Sequence, residues 1–410
     1  MNKKKRRTYR LLRFVLLAPL MIIFLSLVIA SIAFSPGLVI RAIAWGGADV
    51  YDYLKFPNRP IERAETAFHF TEAYDQERIR LLFQTDPLIE DLEGFLESTQ
   101  TQAFLVIQDD KILYEGYFNG TQRDSIVTSF SVAKSFDSAL IGIAIDEGYI
   151  RSANDPITDY IPELLDRDPR FAEITIRDLL LMSSGLRYLE TVPYGDDLRT
   201  YIHPDLRSQA LKQTEIISPP GQTFLYNNYN PLLLGIILER TTGMPVVTYL
   251  QERIWTPLGM EFDGSWSIDS ERHGFEKMES GINGCAIDFA KFGRLYLNQG
   301  LWEGIQIVPE TWVQESISPE PGLRDPSYYV DELGQHILNA ADGGFYKYMW
   351  YGLLRDGQPN DFFATGNKGQ YIYISPSKHL IIVRYGEDYG VESFDWIEIF
   401  FRFATAIGDS

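Results

Sequence analysis

An uncharged apolar run near the amino terminus divides this chain into unlike parts. From Phe14 to Phe34 the sequence reads FVLLAPLMIIFLSLVIASIAF, 21 residues without a charged side chain. As a helix at about 1.5 Å per residue, the run would measure roughly 32 Å, which matches the hydrocarbon core of a bilayer. We therefore expect a membrane-spanning helix over residues 14–34, so that the water-soluble fold must form from the sequence that follows.

The residues before this run are strongly basic. Seven basic side chains and no acidic one occupy the first thirteen positions: Lys3, Lys4, Lys5, Arg6, Arg7, Arg10 and Arg13. By the positive-inside rule, the amino terminus is expected in the cytoplasm and the folded body on the periplasmic or extracellular side of the cytoplasmic (inner) membrane. A cleaved signal peptide is the alternative, with Ser31-Ile32-Ala33 as a weak cleavage site, but its apolar core would span only about 7 to 15 residues.

The charge of the body excludes one class of partner. The chain carries 37 basic and 56 acidic side chains, a net charge of −19. Without the seven basic residues of the tip, the balance is 30 against 56, or −26. So acidic a surface repels phosphate backbones, and we expect no nucleic-acid binding.

The residues that usually bind metals are sparse. Cys285 is the only cysteine, and the five histidines are scattered without an His-Glu-x-x-His pattern. No internal disulfide, thiolate cluster or zincin motif can therefore form. We expect neither a metal ion nor an organic cofactor, and nothing in the sequence indicates an obligate protein partner.

Composition and periodicity suggest four regions. A basic cytoplasmic tip covers residues 1–13, the apolar span 14–34, and a stalk or extension rich in proline and glycine 35–85. The folded domain takes up residues 86–410. Within it we predict hairpins over 103–118 and 370–384 and helices over 131–147, 174–181, 231–241, 287–299 and 393–407. Strands at both ends with helices between them favour an α/β domain whose sheet is completed by the carboxy-terminal strands.

A serine and a lysine stand three residues apart at the start of the longest predicted helix. Ser131-Val132-Ala133-Lys134 puts the hydroxyl and the amine on one helix face, within reach of each other. The positive potential at a helix start favours both the alkoxide and the unprotonated amine. Ser375-Pro376-Ser377-Lys378 has the same spacing but is better interpreted as a solvated turn, so the position on the helix matters more than the spacing alone.

Two further segments could complete a site. Tyr226-Asn227-Asn228 follows a Pro-Pro-Gly turn, and a tyrosine near cations can act as an acid or base while Asn228 can bond a side chain and a substrate carbonyl. The segment from Thr365 to Gln370 contains Asn367 and Gly369, and its glycines permit close approach of a ligand to the backbone. The N–H groups of Gln370 and Ser131 could together form an oxyanion hole.

In this order and at these distances, the three segments resemble the motifs of the serine β-lactamase and penicillin-binding-protein superfamily. Longer stretches resemble its class C branch, among them SFSVAKSFDSALIGIAIDEGYI, ITIRDLLLMSSGL and INGCAIDFAKFGRLYLNQG. The resemblance extends from about residue 100 to the carboxy terminus. The closing FFATGNKGQYIYISP is most similar to the 6-aminohexanoate-dimer hydrolases.

The resemblance implies both roles and a fold. Ser131 would be the acylated nucleophile, Lys134 the proton acceptor or relay, and Tyr226 the general base that later activates water. Asn228 would orient this group and the substrate. The implied fold is α/β (α+β) and β-lactamase/transpeptidase-like, an antiparallel sheet flanked by helices with an inserted helical lobe and a cleft between them.

The third motif departs from the family pattern. Lactamases of this superfamily carry Lys-Thr-Gly there, whereas the aligned triplet is Asn367-Lys368-Gly369. A lysine displaced by one place on a strand faces the other side of the sheet, so recognition of a penicillin carboxylate is not expected. A register slip at Gly366 is an open alternative.

These observations predict a membrane-anchored serine hydrolase that cleaves a small-molecule or peptide-like ester or amide. One alternative is a penicillin-binding D,D-peptidase or weak β-lactamase acting on cell-wall peptides. Another is a non-catalytic envelope receptor that keeps the pocket for ligand capture. The presence of Ser131, Lys134 and Tyr226 together argues against the receptor, because a binding protein has no need of all three.

Overall fold

A central eight-stranded sheet organises the body of the protein. The computed structural model describes residues 15–25, 28, 31, 36–190 and 195–408. The strands are β1 (Asn58–Ile61), β2 (Thr71–Glu72), β3 (Thr101–Gln108), β4 (Lys111–Tyr117), β5 (Val127–Thr128), β6 (Gly264–Ser267), β7 (Ile282–Gly284), β8 (Leu301–Trp302), β9 (Ile305–Gln306), β10 (Gly344–Lys347), β11 (Trp350–Arg355), β12 (Gln358–Gly366), β13 (Gln370–Ser375) and β14 (Leu380–Gly386). The order in the large sheet is β10-β11-β12-β13-β14-β3-β4-β2, and β1-β6-β7-β5 form a smaller sheet.

The sheet joins the two ends of the folded region. Strand β14 pairs antiparallel with β3, with Ile382 opposite Val106. Every residue of β3 and of β14 is buried, as expected of strands covered by helices on both faces. The prediction that carboxy-terminal strands complete the sheet is thereby confirmed.

Helices cover the sheet and build the inserted lobe. They are α1 (Pro36–Trp45), α2 (Asp52–Lys55), α3 (Gln76–Phe83), α4 (Leu92–Ser98), α5 (Ala133–Asp146), α6 (Glu163–Arg167), α7 (Ile176–Leu180), α8 (Asp196–Ile202), α9 (Leu206–Gln213), α10 (Tyr229–Thr242), α11 (Val246–Leu250), α12 (Ala286–Leu297), α13 (Glu310–Ile317), α14 (Glu332–Asn339) and α15 (Asp395–Ala406). Helix α12 packs on β13, β14 and β3, while α5 packs against α10 and α13. These contacts bury α5 almost completely and fix the position of its first turn.

Strands β10 to β12 extend the sheet beyond the predicted carboxy-terminal hairpin. The prediction began that hairpin at residue 370, whereas β12 already runs from Gln358 to Gly366 and pairs with β13. Nearly all residues of β10 and β11 are buried, so these strands lack the polar alternation that marks a half-exposed strand. Their aromatic sequence was equally compatible with general core packing.

The amino-terminal part is only partly described. Residues 15–25 are helical and expose most of their apolar side chains, and positions 28 and 31 are helical too. The rest of the predicted span over 14–34, like the basic tip, lies outside the described residues. Among the residues that are described, no helix is both long and apolar enough to cross a bilayer. Anchoring in the membrane therefore stays a prediction.

Candidate active site

Ser131 lies in a tight turn between β5 and α5. Residues Phe130–Val132 form one turn of 3-10 helix, and the α-helix begins two residues after the serine, at Ala133. Phe130 has a positive φ of 47°, a conformation that a bulky side chain rarely adopts. The N–H of Ser129 donates to the carbonyl of Ile282 at 2.8 Å and ties this turn to the smaller sheet. Surrounding contacts therefore hold the half-buried Ser131 in place.

Lys134 contacts the serine directly. Its Nζ donates to Ser131 Oγ at 2.8 Å and to the carbonyl oxygen of Glu279 at 2.8 Å. The lysine is only 2% exposed, because α5 carries it under the turn. Once deprotonated, an amine at this position can accept the serine proton over a single hydrogen bond.

Tyr226 faces the same pair from the segment that precedes α10. The Lys134 Nζ atom lies 4.9 Å from the centroid of the Tyr226 ring. The backbone N–H of Tyr226 donates to Asp331 Oδ2 at 3.2 Å, which holds the segment at the cleft. Burial raises the pKa of Tyr351 well above its ordinary value, and the neighbouring phenol of Tyr226, its hydrogen-bond partner, raises it further.

Asn228 belongs to a chain of hydrogen-bonded polar side chains at the larger part of the cleft. Its Nδ2 donates to the hydroxyl of Tyr188 at 2.8 Å, and that hydroxyl donates to Asp197 Oδ1 at 2.5 Å. The Oδ1 atom of Asn228 is buried without a hydrogen-bond partner. Burial, followed by the charge of Asp197, raises the pKa of Tyr188 well above its ordinary value. Tyr188 therefore stays a hydroxyl that can both donate and accept.

The predicted third motif is displaced along the chain. Gly366 lies against the turn that contains Ser131, since a Cβ atom there would lie 2.3 Å from Ser129 O and 3.1 Å from Ser131 N. Asn367 lines the cleft, whereas Gly369 and Gln370 do not.

The hairpin that follows β12 explains this displacement. Gln370 pairs with Gly366 in the ladder, and its side chain donates to Gly386 O at 2.7 Å. The turn bends back through the positive φ values of Lys368 and Gly369, 67° and 81°. The triplet beside Ser131 is accordingly Ala364-Thr365-Gly366, three residues before the aligned one, and the predicted oxyanion role of Gln370 and Gly369 does not fit this register.

The cleft has two lobes that meet at Ser131. Ser131, Tyr226, Glu190 and Asn367 line both of them. The smaller, aromatic lobe has a volume of about 210 Å³ and is lined by Tyr351, Phe363, Tyr371, Tyr389, Phe394, Leu333 and Ile397 among others. The larger, acidic lobe has about 610 Å³ and adds Asp197, Glu279, Asn228, Tyr201 and the backbone segment Gly46, Gly47 and Ala48. A substrate can therefore extend to both sides of the reacting bond.

The acidic lobe contains residues that no motif indicated. Burial raises the pKa of Glu190, and Asp197 and Asp331 raise it further. Burial likewise raises the pKa of Asp197, although its hydrogen bond from Tyr188 opposes the shift. Only the paired acids Asp196-Asp197 at the start of α8 offered a sequence signal, and such acids usually serve to stabilise a helix start.

Among the described residues, no group of three or more His, Cys, Asp or Glu side chains is placed to hold a metal ion. Cys285 is fully buried, and burial raises the pKa of its thiol. It packs as a small apolar residue.

Comparison with known proteins identifies the family. The family model described as Beta-lactamase matches residues 91–390, which include all three segments of the site. The chain belongs to the beta-lactamase family. The predicted resemblance is thereby confirmed, and with it a serine hydrolase of the β-lactamase and penicillin-binding-protein type.

The relatives of this beta-lactamase family chain are hydrolases of several kinds. It is 28% identical over 314 residues to the 6-aminohexanoate-dimer hydrolase of Paenarthrobacter ureafaciens, covering 72% of this chain and 74% of that one. It is 23% identical over 215 residues to the teichoic acid D-alanine hydrolase of Staphylococcus aureus, covering 50% and 51%. The chain thus spans about half the length of this second relative.

Solved structures share the fold. A Bacillus anthracis protein, described as a candidate 6-aminohexanoate-dimer hydrolase, has a TM-score of 0.69 at 22% identity, covering 86% of this chain and 92% of that one. The octameric penicillin-binding protein homologue of Pyrococcus abyssi has a TM-score of 0.60 at 18% identity, covering 82% and 78%. The β-lactamase/transpeptidase-like α/β fold is confirmed, while the catalytic roles of individual residues stay predictions.

Proposed function

We propose that the protein is a membrane-anchored serine hydrolase that cleaves an ester or amide through an acyl-enzyme on Ser131. The 2.8 Å contact between Lys134 Nζ and Ser131 Oγ carries this proposal. A buried amine this close to a serine hydroxyl can remove its proton during attack. A proton acceptor is therefore already in place when negative charge would form on Ser131 Oγ.

The arrangement supports a two-step reaction. Ser131 Oγ attacks the carbonyl carbon while its proton passes to Lys134 or Tyr226, giving a tetrahedral oxyanion. Collapse breaks the bond to the leaving oxygen or nitrogen, which receives that proton, and leaves an ester on Ser131. Water then attacks this ester, gives a proton to Tyr226 and releases the acid, and Ser131 recovers its proton.

The charge of the residues that line the cleft indicates which substrates it favours. Among the described residues that line the two lobes there is no arginine or lysine, whereas Glu190, Asp197 and Glu279 are acidic. Lys368, the only lysine of the predicted third motif, has its Nζ 3.9 Å from Asp388 and lines neither lobe. Glu279 is paired with Lys277 Nζ at 2.6 Å, but a carboxylate on a penicillin ring would still meet the carboxyl groups of Glu190 and Asp197 and no cation among these lining residues. We therefore favour acyl and leaving groups that are neutral or cationic.

Membrane anchoring belongs to the same proposal. The uncharged run over residues 14–34 and the seven basic side chains before it support a single span with the hydrolase on the outer side. The exposure of the apolar side chains of residues 15–25, for example 66% for Met21, agrees with a segment that packs against lipid rather than against the body.

Reaction with a fluorophosphonate tests the nucleophile. The full chain should gain the mass of one adduct and hydrolyse p-nitrophenyl acetate, and Ser131→Ala should lose the adduct and at least about 10⁴-fold of the rate. Ser375→Ala supplies a matched control, because Ser375 belongs to the chain's other Ser-x-x-Lys sequence and donates to Asp361 in the core. Labelling or full hydrolysis by Ser131→Ala would refute the proposal.

A further inference from the structure

Helix α1 packs one face against the body of the protein, and its opposite, apolar face is exposed. Leu38 and Val39 are 2% and 8% exposed. Arg41, the only charged residue of α1, turns inward and donates to the carbonyls of Ile202 at 3.2 Å and Asp269 at 2.6 Å. The outer face consists of the exposed residues Pro36, Gly37, Ile40, Ile43 and Ala44. Its two isoleucines are each 65% exposed. None of the five residues of this face is charged.

The position of α1 in the chain indicates what covers this face. Only Ser35 separates α1 from the apolar run that ends at Phe34. Two residue steps of extended chain reach about 7 Å at most, so an apolar run that spans a bilayer holds the start of α1 at the bilayer surface. A helix with an uncharged apolar face at that depth lies in the interface between lipid headgroups and acyl chains.

The carboxyl end of α1 leads directly into the active site. Gly46, Gly47 and Ala48 follow Trp45 and form a wall of the acidic lobe. Tyr201 donates to the carbonyl of Gly47 at 3.3 Å, and Lys55 donates to the same oxygen at 3.2 Å. The wall is therefore fixed to the body by these hydrogen bonds and continues directly from the end of α1.

We propose that α1 lies in the membrane interface and that the acidic lobe opens beside the lipid headgroups. The substrate is then an ester or amide that an amphiphile displays at the membrane surface, rather than a freely diffusing solute. This inference rests on the proposed function, because it assumes the anchor and the Ser131 chemistry. It adds the class of molecule that carries the bond to be cleaved.

A fluorescent label measures the depth of α1. Cys285 is fully buried, so a single introduced cysteine can be labelled selectively with an environment-sensitive dye. The full chain would be labelled at Ile43→Cys or, as matched control, at Ile305→Cys in the β8–β9 hairpin, since both isoleucines are 65% exposed. In vesicles containing brominated lipid, we expect quenching of about twofold or more at position 43 and none at 305.

Activity at a membrane surface supplies the second measurement. The double variant Ile40→Ser/Ile43→Ser should lose about tenfold in kcat/KM for a long-chain p-nitrophenyl ester held in vesicles, because the lobe no longer sits at the headgroups. Its kcat/KM for soluble p-nitrophenyl acetate should stay unchanged, which also shows that the variant folds. Ile305→Ser should leave both values unchanged.

The outcomes separate this inference from the proposed function. If hydrolysis depends on Ser131 but the label at position 43 behaves like that at 305, or if the double variant loses both activities equally, the interfacial position of α1 is refuted and the hydrolase stands. If Ser131→Ala keeps full activity, the chemistry is refuted whatever the label reports. Release of the full chain from vesicles by carbonate refutes the anchor and this inference with it.

Discussion

Asp137 is a buried carboxyl one helical turn beyond Lys134. It is fully buried, and neither of its oxygens has a hydrogen-bond partner. Burial raises its pKa well above the ordinary value; the charge of Lys134 opposes this shift and that of Glu279 adds to it. The Asp137 carboxyl is thus poorly solvated, and ionising it costs stability.

Because ionising Asp137 destabilises the folded state, the direction in which the free energy of unfolding changes with pH can be predicted. Because the pKa of Asp137 is higher in the folded state, the free energy of unfolding falls as pH rises above the unfolded value near 3.9, by up to about 1.4 kcal/mol per pH unit. Asp137→Asn removes this slope, so its stability relative to wild type should increase between pH 4 and pH 7. Urea unfolding at several pH values checks this, with the exposed Asp146→Asn of the same helix as control. An unchanged slope would contradict the prediction.

The residues of the site differ in how far sequence could predict them. The contact between Ser131 and Lys134 follows from helical spacing, so three residues of separation were enough. Tyr188 and Asp197 come together with Asn228 only through the inserted lobe, and their separation in sequence carries no signal. The burial of Asp137 depends on the packing of α5 against other helices, so spacing along the sequence does not predict it.

At the scale of elements, the end of strand β12 packs against the turn that contains Ser131. The absence of a side chain at Gly366 allows its backbone to lie against Ser129 and Ser131. Gly366→Ala should displace the turn and lower kcat/KM by about 10²-fold, because small misplacements of a nucleophile are costly. Ester hydrolysis kinetics measure this effect. Gly322→Ala, where a Cβ would meet no atom within 4 Å, should keep wild-type activity, and an unaffected Gly366→Ala would show that the close approach is dispensable.

Sequence patterns predicted some strands of the large sheet and missed others. Strands β13 and β14 are rich in β-branched and aromatic residues and are separated by a proline turn, which fixed both their type and their pairing. Strands β10 and β11 are buried almost throughout without alternation, and only the tertiary structure distinguishes them from other core segments. This explains why the third motif was aligned three residues too late, in the turn after β12.

At the scale of the whole molecule, the extension before the domain is part of the fold. Val50, Phe56 and Ile61 are at most 4% exposed, and β1 pairs with β6 in the smaller sheet. A chain that begins at residue 36 should therefore keep hydrolysis of soluble p-nitrophenyl acetate and its melting temperature. One that begins at residue 62 loses these contacts and the wall of the acidic lobe, and should melt several degrees lower. Equal stability of the two truncated chains would show that residues 36–61 are an independent appendage.

The two-lobed cleft has a consequence for the order of events. In the proposed reaction, an acyl group on Ser131 would occupy one lobe after the first product leaves, and the other lobe would then be open to solvent. A small alcohol or amine that enters the open lobe would meet the same ester carbonyl as water does. On the proposed mechanism, the fate of each acyl group would therefore depend on which acceptor reaches it first.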